Sequence, residues 1–203
     1  MQWRFLSADK ETDHRFLNLF TLHYEVTKED GSIAHYPYFV ASRNELDQLQ
    51  AKNPHFDRPD AVVLCLYYQD PNTEEVSVII TTQFRPALGR YLTSFPAGLL
   101  DPQDKDEIEA AKREALEESG VVIDDIEVIS PPSPTSSGLS DEIDSLLLAR
   151  IVEFKEKRLE EFEDIRCRLV PLKEIPNILE DTAHYVVPLT ARLMLRYLLE
   201  RFR

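Results

Sequence analysis

Apolar and polar positions along the chain fall into runs with two periods, one of strands and one of helices. The first run, "FLNLFTLHYEV" (16–26), alternates partially and predicts a strand. "TKEDGS" follows with Asp30-Gly31 as a hairpin turn signal, and "IAHYPYFVAS" returns as a second strand whose Pro37 predicts an edge position or a bulge. The polar passage "AKNPHFDRPD" (51–60) then reads as a linker. "AVVLCLYY" is near-continuously apolar, "DPNTEE" turns the chain, and "VSVIITTQF" is the next strand. "RPALGRYLTSFPAGLLD" is mixed strand and loop, broken by Pro86, Pro96 and Gly98. A helix is expected from about Asp106 to Ser119, with Gly120 as its stop. "VVIDDIEVI" is a strand, "SPPSPTSSGLSDE" (130–142) a Pro- and Ser-rich loop, and "SLLLARIVEF" and "IRCRLVPL" are further strands. "PLKEIPNILE" and "HYVVPLTARLMLRYLLERF" read as helical. No internal repeat interrupts this order. Strands, helix, strands and helices in succession predict a mixed sheet covered by helices, an α/β or α+β sandwich.

Composition narrows the setting. A chain of 203 residues holds one domain with a good core, or one domain with a small extra layer. The formal net charge is -14, so neither nucleic acid nor an anionic membrane is an expected partner, and an anionic substrate needs local arginines or metal ions. The two cysteines, Cys65 and Cys167, lie in strand-like runs and read as thiols of a reducing compartment. The start, "MQWRFLSADK", carries no apolar core of a signal peptide, and no apolar run approaches the ~20 residues that span a bilayer. A cytoplasmic protein is expected.

The stretch "KREALEESGV" (112–121) raises the chemistry. On a helix, Ile108, Ala111 and Ala115 form an apolar stripe, and Glu114, Glu117 and Glu118 lie beside it within an arc of about 100°. Like charges at i,i+3 and i,i+4 repel, and late in a helix they face the negative end of its dipole. A solvated face with Lys112 and Arg113 as counter-ions is the ordinary reading of such a run. Two features favour a bound cation instead. The cluster borders the core-facing stripe, and it follows "FPAGLLD", where Ala97 and Gly98 present bare backbone. Mg²⁺ prefers carboxylate oxygens and commonly bridges to phosphate.

The stretch "PAGLLDPQDKDEIEAAKREALEESGV" resembles the Nudix box, in which Gly, Glu, Arg-Glu, an apolar residue, Glu-Glu, Gly and an apolar residue recur in that order. Gly98 opens it, and Arg113, Glu114, Ala115, Glu117, Glu118, Gly120 and Val121 match its second half without a gap. The first half is one residue longer than the pattern. Lys105 stands where the first Glu belongs, with Asp104 adjacent as its substitute. The resemblance implies a Nudix-type α/β/α sandwich with a mixed sheet, plus an N-terminal antiparallel β-hairpin or sheet. It implies a β subdomain over 1–58, a candidate dimerisation layer, and a hydrolase domain over 59–203. It also implies Mg²⁺, with Mn²⁺ as the alternative, held by Glu114, Glu117, Glu118 and the Ala97 carbonyl. Glu117, Glu118 and Arg113 would be catalytic, Arg113 by orienting the carboxylates.

Upstream, "TTQFRPALGRYLTSFPAGLLD" is similar to the ADP-ribose pyrophosphatase branch, and Arg85 matches that branch's substrate-contacting arginine. Ser94 stands where the branch often carries Glu. Downstream, "SPTSSGLSDE" resembles its catalytic loop, with Glu142 as the candidate base and Asp141 as the alternative; Ser137 replaces a usual Pro. Arg43 is a second candidate for phosphate. The extra N-terminal sheet of the branch implies a homodimer, and Trp3, Tyr36 and Tyr38 are candidate stacking residues. The expected reaction is metal-dependent hydrolysis of the diphosphate of ADP-ribose or a related nucleoside diphosphate sugar. Hydrolysis of UDP- or GDP-sugars, and a nucleotide-binding Nudix module without catalysis, stand as alternatives. The five histidines (His14, His23, His35, His55, His184) show no metal-ligand spacing.

Overall fold

The computed structural model describes residues 1–53, 56–157 and 164–203. Residues 54 and 55, inside the expected linker, lie outside them, and His55 with them. The described residues form two compact units: Met1–Asp60 with Pro132–Asp144, and Ala61–Pro131 with Ser145–Arg203.

The first unit is built on three antiparallel strands in the order β1 (Gln2–Lys10), β2 (Asn18–Thr27) and β3 (Ile33–Ser42). The expected hairpin is present as β2 and β3. Gly31 takes φ +80 in its turn, and the Asp30 carboxylate accepts from the Ser32 N–H at 2.9 Å. β3 is an edge strand, which is why Pro37 is tolerated in it. The first strand was not expected. Its pairing with β2 slips between Phe5 and Ser7, and this irregularity breaks the alternation that marks a strand in sequence. Phe20, Leu22, Val40 and Leu49 form the buried core of this unit.

The second unit contains a seven-stranded mixed sheet in the order β10-β5-β4-β9-β8, with β6 on β5 and β7 on β4. These are β4 (Ala61–Gln69), β5 (Val76–Arg85), β6 (Arg90–Ser94), β7 (Ala97–Leu99), β8 (Val121–Pro134), β9 (Ile143–Phe154) and β10 (Ile165–Pro171). Alternate side chains serve two cores. Val62, Leu64 and Leu66 of β4 pack with Ala110, Ala111 and Ala115 of α1 (Glu107–Ser119). Cys65, Val78, Ile80 and Leu148 pack on the other side with α2 (Ile175–Glu180) and α3 (Leu189–Arg201), through Ile175, Ile178, Met194, Leu195 and Leu198. Both faces are covered, so the strands read as unbroken apolar runs rather than as alternating ones. The α/β/α sandwich expected from the sequence is the fold.

Two boundaries differ from expectation. The last helix begins at Leu189 rather than His184, because a proline at 188 restricts the residue before it to extended backbone. β8 runs on to Pro134 through a stretch expected to be loop. It ends the strand order, and an edge strand accommodates prolines.

Helix α1 starts and stops as its sequence dictates. The Asp106 carboxylate caps it, accepting from the N–H groups of Ile108 at 3.0 Å and Glu109 at 2.9 Å. Gly120 closes it at φ +65, and a Cβ there would press on the Lys155 carbonyl.

Candidate active site

Three consecutive residues of β7 each meet α1 in a different way. The Ala97 N–H donates to Glu118 Oε2 at 3.1 Å. A Cβ on Gly98 would collide with the Glu114 carboxyl group, so only glycine leaves that carboxyl its place. The Leu99 carbonyl accepts from Arg113 Nη2 at 2.9 Å. The matching is a consequence of the two rises. Five helical steps, Glu118 back to Arg113, span about 7.5 Å, and the two strand steps from Ala97 to Leu99 span about 6.6 Å. β7 is itself fixed, pairing Ala61, Val62 and Val63 of β4 with Leu99, Gly98 and Ala97.

Arg113 is the charge centre of this arrangement. Its guanidinium lies 2.8 Å from Asp104, 2.7 Å from Glu114, 3.1 Å from Glu117 and 3.7 Å from Asp101. Asp104, Glu114 and Glu118 are buried, at 7 %, 8 % and 5 % exposure. These carboxylates hold the Arg113 proton more firmly than usual, Asp104 above all, followed against the opposing effect of burial by Glu114 and Glu117. One guanidinium among four carboxylates leaves the cluster negative, and negative charge beside a core is favourable only with a further cation or strong hydrogen bonds.

The lengthened first half of the motif is also accounted for. Asp104 Oδ2 accepts from the Asp101 N–H at 2.8 Å, and the Asp104 N–H returns to the Asp101 carbonyl at 3.0 Å. Asp104 thus closes a short turn and grips Arg113 at once. Lys105 turns away to Glu109, at 2.8 Å. From β10, the Cys167 thiol donates to the Glu118 carbonyl at 3.1 Å, and burial pushes that thiol up. Arg85 stands exposed at the end of β5, its backbone opposite Arg90.

The first unit holds a second group. Arg43 Nε donates to Glu142 Oε1 at 3.3 Å, and Thr135 Oγ1 to Glu142 Oε2 at 3.0 Å. Asp141 Oδ2 instead accepts from the Gln50 N–H at 3.3 Å. Asp60 and Asp144 belong to the same neighbourhood. Burial, then Glu142 and Asp60, push the Asp144 carboxyl up to about 6, against the opposing pull of Arg43. Burial raises Asp60 as well, although the Ile143 N–H favours its charged form. Trp3 stacks edge-to-face on Tyr24 and Tyr36, at ring distances of 5.8 and 5.5 Å, and the Tyr38 hydroxyl donates to the Gly138 carbonyl at 3.0 Å.

A family model described as the NUDIX domain matches residues 57–190, well over half of the chain. The chain belongs to the Nudix family. No protein of curated function matches it in sequence. Among solved structures, the Nudix chain is similar to one described as the crystal structure of an ADP compounds hydrolase. Identity there is 16 %, with 99 % of this chain and 96 % of that one covered at a TM-score of 0.67. It is also similar to the NUDIX domain of Shewanella oneidensis NrtR complexed with ADP ribose. That match has 16 % identity and covers 74 % of this chain and 92 % of that one at a TM-score of 0.51. At these identities the likeness is one of fold.

The Nudix box residues Ala97, Arg113, Glu114, Glu117 and Glu118 come together in the second unit, and Arg43 and Glu142 come together in the first. Asp101, Asp104, Thr135, Asp60 and Asp144 complete the two groups. Of these, only Asp104 had a signal in the sequence, its place in the motif. The donor chemistry fits a hard divalent cation: the donors are all oxygens, carboxylates and a backbone carbonyl, with Glu114 lodged where Gly98 clears space. Among the described residues no three acidic, His or Cys side chains already converge on one point, and Arg113 Nη1 lies between Glu114 and Glu117.

Removing the charge centre should loosen the second unit. Arg113→Met leaves Asp104 and Glu114 buried without their cation and is expected to lower stability by ~3 kcal/mol, with Arg113→Lys in between because an ammonium lacks the fork. Urea unfolding of the three proteins checks this, and an unchanged Arg113→Met midpoint would refute it. A second prediction concerns pH. Because the Asp144 carboxyl is raised in the folded state, its ionisation opposes folding. That penalty is absent below the ordinary carboxylate value, grows as pH rises towards about 6, and is complete above it. Asp144→Asn should therefore stabilise the protein at pH 7.5 by ~1–2 kcal/mol, after allowance for screening by water, and by nothing at pH 3.5. Unfolding midpoints at the two pH values decide it; an equal gain at both would contradict the assignment.

Proposed function

We propose that the protein hydrolyses the diphosphate bond of ADP-ribose or a related nucleoside diphosphate sugar, giving a nucleoside monophosphate and a sugar phosphate. The observation that carries this reading is the fastening of Glu114, Glu118 and Arg113 to Ala97, Gly98 and Leu99 in a chain of the Nudix family. It keeps carboxylates beside a core, an oxygen-rich setting that suits a cation. Glu114, Glu117, Glu118 and the Ala97 carbonyl would hold Mg²⁺ or Mn²⁺. The bound ion would neutralise diphosphate oxygens and make a bound water acidic enough to attack phosphorus. Arg113 orients the glutamates through charge-assisted hydrogen bonds. Arg85 offers an exposed cation to a phosphate. Glu142 would take the proton of that water as its oxygen bonds to phosphorus and the sugar phosphate or nucleoside monophosphate leaves. The motif "QFR" before "PAG" and the neighbouring structures' names support ADP-ribose as the first substrate to try.

A second reading has its own observation. The first half of the motif is one residue longer than the family's pattern, with Lys105 where its first Glu belongs, which suits a module that binds a nucleotide without cleaving it. A homodimer and a reducing, cytoplasmic setting belong to the first proposal. The two cysteines are free thiols, and no helix among the described residues is long and apolar enough to cross a membrane.

One panel separates these readings: ADP-ribose, UDP-glucose, GDP-mannose, NADH and dinucleoside polyphosphates, each with Mg²⁺ or Mn²⁺, scored for products by chromatography. Cleavage of ADP-ribose to AMP and ribose 5-phosphate is expected, and Glu118→Gln should cut turnover by roughly 10²- to 10³-fold while folding normally. Full turnover in folded Glu118→Gln would refute the mechanism, and binding without cleavage of any compound would establish the second reading. Light scattering should give twice the chain mass of 23.5 kDa; a monomer mass would end the dimer proposal.

A further inference from the structure

The loop between Thr135 and Glu142 is not a slack connection. Its neck is closed by the Thr135 N–H donating to the Glu142 carbonyl at 3.1 Å. Inside it, the N–H groups of Leu139 and Ser140 both turn back to the Ser136 carbonyl, at 2.8 and 2.9 Å. Outside it, β3 holds the loop along its open edge. The Ala41 N–H donates to the Leu139 carbonyl at 2.9 Å, Ala41 and Ser140 form a parallel bridge, and the Tyr38 hydroxyl reaches Gly138. Just beyond the neck, Asp60 and Ile143 exchange two hydrogen bonds, Asp60 N–H to carbonyl at 2.7 Å and Ile143 N–H to carboxylate at 2.9 Å. An edge strand's free backbone groups are the natural place to hang an irregular loop, since each would otherwise need water.

At the end of this anchored loop, the two oxygens of one carboxylate are held by two different side chains. Arg43, one residue past β3, takes Oε1, and Thr135, across the neck, takes Oε2. A carboxylate has about four acceptor sites, so two such bonds fix its plane and leave sites for a water. The neighbouring Asp141 is spent on the Gln50 main chain. The charge of the Arg43 guanidinium also favours the ionised forms of Asp60 and Asp144.

We propose that Arg43 and Thr135 are positioning residues for Glu142, fixing the plane of its carboxylate from a loop hung on the edge of β3. The contact of Arg43 with phosphate that the sequence suggested is then replaced by a contact with the base. The inference rests on the proposed function for the role of Glu142, and on the first unit alone for the geometry.

Kinetics with the substrates that the wild type hydrolyses test it. Glu142→Gln should lose ~10²- to 10⁴-fold in kcat, the range for a general base. Arg43→Met should lose ~10- to 100-fold in kcat with KM changed less than ~3-fold, Thr135→Val should lose less, and Arg43→Lys should recover most of the loss, as a residue acting through its neighbour requires. The double variant Arg43→Met/Glu142→Gln should be no slower than Glu142→Gln alone. A rise in KM at intact kcat would return Arg43 to the phosphate, and losses that multiply in the double variant would overturn the proposal. If the wild type cleaves nothing, the proposed function fails, and hydrogen exchange decides the geometry. Arg43→Met and Thr135→Val must each speed exchange of the 135–143 peptide by roughly tenfold or more while the rest of the chain stays protected. Unchanged exchange overturns the proposal, and if Arg43→Met does not fold, Arg43→Lys and Thr135→Val carry both tests.

Discussion

Much of the second unit depends on the contact of one short strand with one helix. Ala97, Gly98 and Leu99 present a donor, a gap and an acceptor at strand spacing, and Glu118, Glu114 and Arg113 meet them at helix spacing. The constraint is geometric first. With any side chain at 98, Glu114 loses its position, and with it the partner that Arg113 shares between Glu114 and Glu117. It is electrostatic second. Arg113 can gather Asp101, Asp104, Glu114 and Glu117 because its planar fork offers donors in several directions. A helix whose carboxylates repel one another is thus held close to the sheet. The small residues Ala110, Ala111 and Ala115 allow that close approach.

The first unit works by a different device. The serine-rich loop from Thr135 to Glu142 has little apolar surface of its own to hold it. It is held instead by main-chain bonds to the open edge of β3 and by side chains at its two ends. Directional bonds of this kind specify orientation better than apolar packing does. The carboxyls of Asp60 and Asp144, raised mainly by burial, resist ionisation in this unit. Carboxyls perturbed in this way commonly lie near functional groups.

Much of the layout was legible along the chain. The apolar runs at 61–68 and 76–84 announced strands covered on both sides, and the Asp106 cap and Gly120 stop bounded the acidic helix to within a residue. Where the reading went astray, a local irregularity hid the period. The register slip at Phe5 to Ser7 concealed β1, the prolines after Ser130 disguised the end of β8, and Pro188 delayed α3. In the candidate site, Arg113 and the three glutamates share one helix, so their spacing alone placed them on neighbouring faces. Thr135 and Glu142 are seven apart in a loop without a period, and Asp60 and Asp144 are far apart in the chain, so no pattern links them.

What the sequence by itself determined is therefore what lies within one element: the helix with its carboxylates, its cap and stop, the paired apolar runs, and the family signature they compose. These follow from backbone periodicity and from residues with special dihedral needs, which act over a few positions. What only the tertiary structure decided is which groups those elements meet. It set Gly98 against Glu114, made Asp104 a partner of Arg113, and turned Arg43 to Glu142. Such pairings are made by packing between segments distant in sequence, where the free energy depends on a space being cleared or a buried charge being answered.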